Sequence, residues 1–173
     1  VQNQTLTAKA LFGIFPAQPN LESVKLSQTE TTFNFPRQLM NKGTKPNYCL
    51  ADFISPKGDD HIGVFVVTAG HGLEKLVEEF EKNHDDYSSI MAKVLADRFA
   101  EAAAEWLHVK IRKNEWGFDS TENLSSEELL KEKYQGIRPA PGYPSCPDHS
   151  EKDKIWKLMD VDKNINVTLT ESR

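Results

Sequence analysis

I-G-V-F-V-V-T-A-G-H-G-L-E-K-L-V-E-E-F, Ile62 to Phe80, is the stretch in which the hydrophobic period of the chain changes. Ile62 to Thr68 is a short apolar run rich in β-branched and aromatic residues, the pattern of a strand. Beyond Gly72 the apolar positions Leu73, Leu76, Val77 and Phe80 recur at helical spacing. Toward the N-terminus the runs stay strand-like. Tyr48 to Ile54 reads as a partner strand, joined to Ile62–Thr68 by a polar loop through Pro56, Gly58, Asp59 and Asp60. Before it lie Leu6 to Phe15, Glu22 to Ser27 and Glu30 to Phe35, separated by Pro16, Pro19, Asn20 and Gln28, a spacing that favours antiparallel hairpins. Toward the C-terminus helices dominate. After Asn83 a long helix carries Tyr87, Ile90, Met91, Val94, Leu95, Phe99, Ala102, Trp106 and Leu107 on one stripe. Ser125 or Ser126 with Glu128 caps a short helix to about Tyr134, and Ser150 opens another with Ile155, Trp156 and Met159 inward. A last strand-like run spans Val167 to Ser172. The order predicts an α+β fold, antiparallel strands first and long helices after, in one domain over residues 1–173.

Composition narrows the function classes. The net charge of −5, with no long lysine or arginine cluster, argues against a nucleic-acid partner. The longest apolar run falls far short of the roughly 20 residues a membrane span needs, so no membrane is expected. Two cysteines, Cys49 and Cys146, make neither a disulfide framework nor a CxxC metal spacing, which points to the cytoplasm. The chain opens on a valine almost directly before a strand-like run and stops inside another, and is expected to be a piece of a longer protein.

Two features could carry chemistry. In I-R-P-A-P-G-Y-P-S-C-P-D-H, Ile137 to His149, four prolines exclude helix and predict an extended, stiff segment. A ligand lying along it would meet the amides of Ala140, Gly142 and Tyr143, the Arg138 guanidinium and the Tyr143 ring, with Gly142 allowing close approach. The plainer reading is a rigid connector. On the long helix, Asp97, Glu101 and Glu105 follow at i, i+4 and i+8, a stacking of like charges that suits a cationic ligand or, more plainly, a solvated face relieved by Arg98 and His108.

Weaker signals favour plain readings. Ala69-Gly70-His71-Gly72 lies between a strand and a helix, but a lone GxG without a βαβ unit is a turn. His84, Asp85 and Asp86 read as an acidic helix start, with no metal expected. Cys146 near Asp148 and His149 reads as a buried thiol, not a catalytic dyad.

R-P-A-P-G-Y-P-S-C-P-D-H-S-E-K, Arg138 to Lys152, closely resembles the signature of the activation domain of cobalamin-dependent methionine synthase. N-Y-C-L-A-D-F (Asn47–Phe53), H-D-D-Y (His84–Tyr87), L-A-D-R (Leu95–Arg98), A-E-W-L-H (Ala104–His108) and E-N-L-S (Glu122–Ser125) resemble the same family in the same order. The resemblance implies a C-shaped α+β domain that binds S-adenosylmethionine and docks over the cobalamin-binding domain of the same polypeptide. Methyl transfer from that ligand, with an electron from a partner such as flavodoxin, would return cob(II)alamin to its active form and support methionine biosynthesis from homocysteine. The implied ligand contacts are Arg138, Ala140, Gly142 and Tyr143, with Glu101 from the long helix. Cobalamin and zinc sites belong to other domains. A further aspartate in a D-W-T-P-F-F-like segment and a tyrosine beyond Ser172 belong to the family's site but not to this chain, so the domain is expected to be partial at both ends and inactive alone.

Two rival functions are a free-standing S-adenosylmethionine-dependent methyltransferase and a non-catalytic corrinoid-docking module. The first needs its own nucleophile or base and a nucleotide-binding sheet, and the sequence offers neither.

Overall fold

The computed structural model describes residues 6–171. The fold is α+β, with strands β1 (Thr7–Asn20), β2 (Ser23–Leu26), β3 (Thr32–Asn34) and β4 (Asp60–His71), then helices α1 (Leu73–Lys82), α2 (Asp86–Lys110), α3 (Ser126–Leu130), α4 (Glu151–Met159) and α5 (Val161–Ile165). The sheet order is β3-β2-β1-β4, and β2 pairs antiparallel with both β1 and β3. Two compact units divide the chain, Val1–Leu11 with Phe65–Thr121 and Phe12–Val64 with Glu122–Arg173; β1 and β4 contribute to both. Among the described residues no helix is long and apolar enough to cross a membrane.

The second unit is the strand-rich one. Ala17 opposes Leu26 and Val24 opposes Phe33, so the inward positions of three strands meet in one buried layer with Phe35. Pro16 and Pro19, expected to break the chain after Phe15, lie inside β1 instead. Pro16 stands where β1 leaves its pairing with β2 and accepts the Ser27 N–H on its carbonyl, and Pro19 opposes Val24 in an alternate position that turns its nitrogen away from β2. The reversal falls at Leu21, which is exposed and takes a left-handed φ of 55°.

Tyr48–Ile54 is not a strand. Residues Leu50–Phe53 form a single 3-10 turn, because the Asp52 carboxylate accepts the Cys49 N–H at 2.9 Å and folds the backbone back on itself. Asp52 is in turn held by Arg37, whose Nη2 donates to Oδ1 at 2.7 Å while Nη1 donates to Oδ2 and to the Asn47 carbonyl. A long-range ion pair thus overrides strand propensity. Ser150 stands at the N-cap of α4, as the sequence predicts; Met159 is buried, whereas Ile155 and Trp156 are half-buried. Lys154 ties α4 to β3 by donating to the Thr32 carbonyl at 2.8 Å, and it pairs with the buried Glu151 at the same distance. Asp160, in the left-handed region at φ 46°, ends α4 and starts α5. Residues 167–171 form no strand: Trp156 Nε1 donates to the Val167 carbonyl at 3.0 Å and holds the segment beside α4. Ser172, the end of that expected strand, lies outside the described residues.

The first unit is helical. β4 runs through Ala69, Gly70 and His71, and the turn falls on Gly72 alone, whose φ of 91° makes the corner into α1. Asp85 caps α2 by accepting the Ser88 N–H at 3.0 Å, which accounts for the acidic residues at that helix start. After 25 residues α2 loosens into a π turn, Ile111–Glu115. The side of α2 that packs is the one with small residues, Ser89 and Ala96, closed by Leu107. Of the large apolar stripe read from the sequence, Tyr87, Ile90, Met91, Val94, Leu95, Phe99 and Trp106 are exposed. Ser89 meets α1, its hydroxyl donating to the Glu81 carboxylate at 3.4 Å, while the large apolar side chains lie on the other sides of the helix.

Candidate functional site

Proline positions determine the conformation of the Arg138–His149 segment. Pro141 and Gly142 stand at the second and third positions of a turn closed by Tyr143 N–H donating to the Ala140 carbonyl at 3.0 Å. Gly142 has φ 108°, which matches the proline–glycine order of a type II turn. Pro144 begins a second turn, closed by Cys146 N–H to the Tyr143 carbonyl at 2.9 Å, and Gly142 N–H reaches the Cys146 carbonyl at 2.8 Å. The segment is therefore stiff, as the four prolines require, but it is a double turn and not extended. Leu50 N–H donates to the Ser145 carbonyl at 2.9 Å and fastens the double turn to the 3-10 turn that Arg37 and Asp52 hold.

This geometry revises which polar edges face outward. The amides of Gly142 and Tyr143, expected to meet a ligand, are engaged within the turns; among the described residues the Ala140 amide donates to no backbone carbonyl. Ala140 is exposed, and the Tyr143 ring stands 61% exposed, a flat face presented from a rigid base. Arg138 is half-buried and takes part in an interaction within the chain. These four residues form one local constellation in the second unit.

Glu101 belongs to the first unit. It is exposed on α2 and receives Arg98 Nη1 at 2.7 Å across i,i+3, so part of the acidic stack is neutralised locally, as the plainer reading of the sequence has it. Asp97 is exposed beside it, while Glu105 is half-buried and engaged.

Electrostatics argue against nucleophilic chemistry at Cys146. Burial, reinforced by the negative charges of Glu151 and Asp148, pushes its thiol up to about 11, so the thiolate is scarce near neutrality. Both cysteines are buried free thiols. The Asp52 carboxyl goes the other way. Hydrogen bonds from Arg37 hold it down to about 2, against an ordinary 3.8. Among the described residues no group of three or more His, Cys, Asp or Glu side chains is placed to hold a metal.

Two features of this region escape local sequence reasoning. The Arg37–Asp52 pair joins residues 15 apart through the tertiary fold. His149 lies with its ring against Gly142, a contact that the spacing of Cys146, Asp148 and His149 does not signal, because it is created by the two intervening turns.

A stiff double turn that exposes an aromatic face close in sequence to a half-buried arginine marks the strand-rich unit of this α+β fold. Comparison with known proteins gives it a family: the chain belongs to the vitamin B12 dependent methionine synthase activation domains, matched over residues 1–173. It is also similar to a solved structure described as the MetH reactivation domain bound to AdoHcy, with 47% identity over 99% of this chain and a TM-score of 0.92. The chain spans 55% of the length of that relative.

Proposed function

We propose that this chain binds S-adenosylmethionine and serves in the reactivation of a cobalamin-dependent methionine synthase. The observation that carries the reading is the relative at 47% identity, which is bound to AdoHcy, the thioether left when S-adenosylmethionine gives up its methyl group. When bound, the ligand would supply a methyl cation equivalent, leaving its sulfur as the thioether, to cobalamin reduced by one electron from a donor such as flavodoxin. The chain's own part is to bind and orient. Arg138 offers a fork of donors to the ligand carboxylate. Ala140 supplies its amide and Gly142 its carbonyl as backbone edges, and the exposed Tyr143 ring covers the ligand. The cobalamin-binding domain of the same polypeptide is the proposed partner, and the domain is proposed to be longer than these 173 residues.

Isothermal titration of AdoHcy and S-adenosylmethionine into the chain extended to the length of its solved relative tests this. Saturable binding is expected, weakened roughly ten- to hundredfold by Arg138→Ala, the usual range for one charged hydrogen-bonding partner. No heat with either ligand would leave the docking module, which needs no S-adenosylmethionine, as the better reading.

A further inference from the structure

Gly142 has two possible uses for its missing side chain. A ligand could approach the backbone there, or the space could be taken by the protein itself. The structure decides between them: a Cβ built on Gly142 would fall 2.7 Å from both Cε1 and Nε2 of His149, far inside van der Waals contact. The imidazole already fills that side. We propose that His149 is a positioning residue of the S-adenosylmethionine site, its ring packed on Gly142 so that the following peptide and the Tyr143 ring are held in their ligand-facing orientation. The proposal rests on the reading of the double turn as the ligand site.

Three observations support it. First, the ring is brought back by stiff backbone: Pro144 and Pro147 lie between the two residues, and the turns closed at Tyr143 and Cys146 fold the chain onto itself. Second, His149 is anchored beyond its ring. Its carbonyl accepts the Lys152 N–H at 3.1 Å, and the Asp148 carboxylate next to it accepts the Ser150 N–H at 2.8 Å, fixing the entry into α4. Third, Gly142 sits at φ 108°, where the backbone is held by the turn and not by intrinsic preference, so a packed ring on its open side restricts the remaining motion of the peptide that leads to Tyr143. His149 is itself exposed, so its removal opens no cavity in the core.

The mechanism is packing, and a flat ring without nitrogens should substitute for it. Nuclear magnetic resonance of the chain extended to the length of its solved relative, titrated with AdoHcy, reads both parts. In the unsubstituted chain the Gly142 α-protons are shifted by the neighbouring ring; His149→Ala removes that shift and raises the AdoHcy dissociation constant about tenfold. His149→Phe keeps a ring-current shift and binds within about twofold of the parent. Circular dichroism should show the same fold for both variants. Undiminished binding in His149→Ala overturns the positioning role alone, as does a His149→Phe variant that keeps the ring shift yet binds as poorly as His149→Ala. A parent chain that binds no AdoHcy at any concentration overturns the ligand site and this role together.

Discussion

Arg37 and Asp52 form a polar knot on which two loops hang: the pair shapes the 3-10 turn, and that turn in turn holds Ser145 of the double turn. The Asp52 carboxyl is depressed to about 2 in the folded protein from an ordinary 3.8, so it binds protons less readily folded than unfolded. Its contribution to stability is therefore complete above the ordinary value and is lost as pH falls from about 4 through about 2. Asp85 and Glu128 are also depressed, by hydrogen bonds from Ser88 and Ser125, and add to the same acid limb. Asp52→Asn should lower the denaturant midpoint at neutral pH and flatten its decline over that window; an unchanged acid limb would mean that the pair does not stabilise the fold. The buried thiols make a second prediction at this scale. With Cys146 pushed up to about 11 and Cys49 fully buried, a thiol reagent at pH 8 should label neither in the native protein and both after denaturation. Rapid native labelling would contradict the burial. The sequence identified Cys146 as an inert thiol, but not the Arg37–Asp52 pair, because nothing local links residues 15 apart.

At the scale of elements, the sequence pattern located α1, α2 and α4 well, since helical periodicity and caps such as Ser150 are local properties. It failed where tertiary contacts overrule propensity: at the Tyr48–Ile54 run, bent by Asp52, and at Pro16 and Pro19, absorbed into β1. The apolar stripe of α2 is the most instructive case. Periodicity establishes that a helix has two faces; which one is buried depends on fit, and here it is the face with Ser89 and Ala96. Stability in this chain should follow packing and not hydrophobicity. Leu107, 3% exposed, should cost about 2–5 kcal/mol when replaced by Ala. Ile90, 62% exposed, should change stability by no more than about 0.5 kcal/mol when replaced by Gln. Urea unfolding of the two variants makes the comparison, and equal losses would show that the stripe is buried in solution.

For the whole molecule, the proposed ligand site raises the question of how many contacts it needs. The chain spans 55% of the length of the relative bound to AdoHcy, so a chain of that relative's length offers a ligand further side chains. The stiffness of Arg138 to Tyr143 was legible because its prolines exclude helix, but the double turn was not, since the same prolines suggested an extended segment and the closing hydrogen bonds show only in the fold; Glu101 was named by resemblance alone, since an acidic stack paired with Arg98 carries no ligand signature of its own. A charged hydrogen-bonding partner contributes roughly 1.5–3 kcal/mol, or about one to two decades of affinity. The 173-residue chain should therefore bind S-adenosylmethionine measurably through Arg138 and Tyr143, but at least tenfold more weakly than the chain extended at both ends. Removing the aromatic face should then matter proportionally more in the short chain, where Tyr143 is among few remaining contacts, than in the extended one. Titrating both chains and their Tyr143→Ala variants in one buffer checks this. Equal affinities of the two parents would mean that the outer segments do not shape the site and that Arg138 to Tyr143 suffices to hold the ligand.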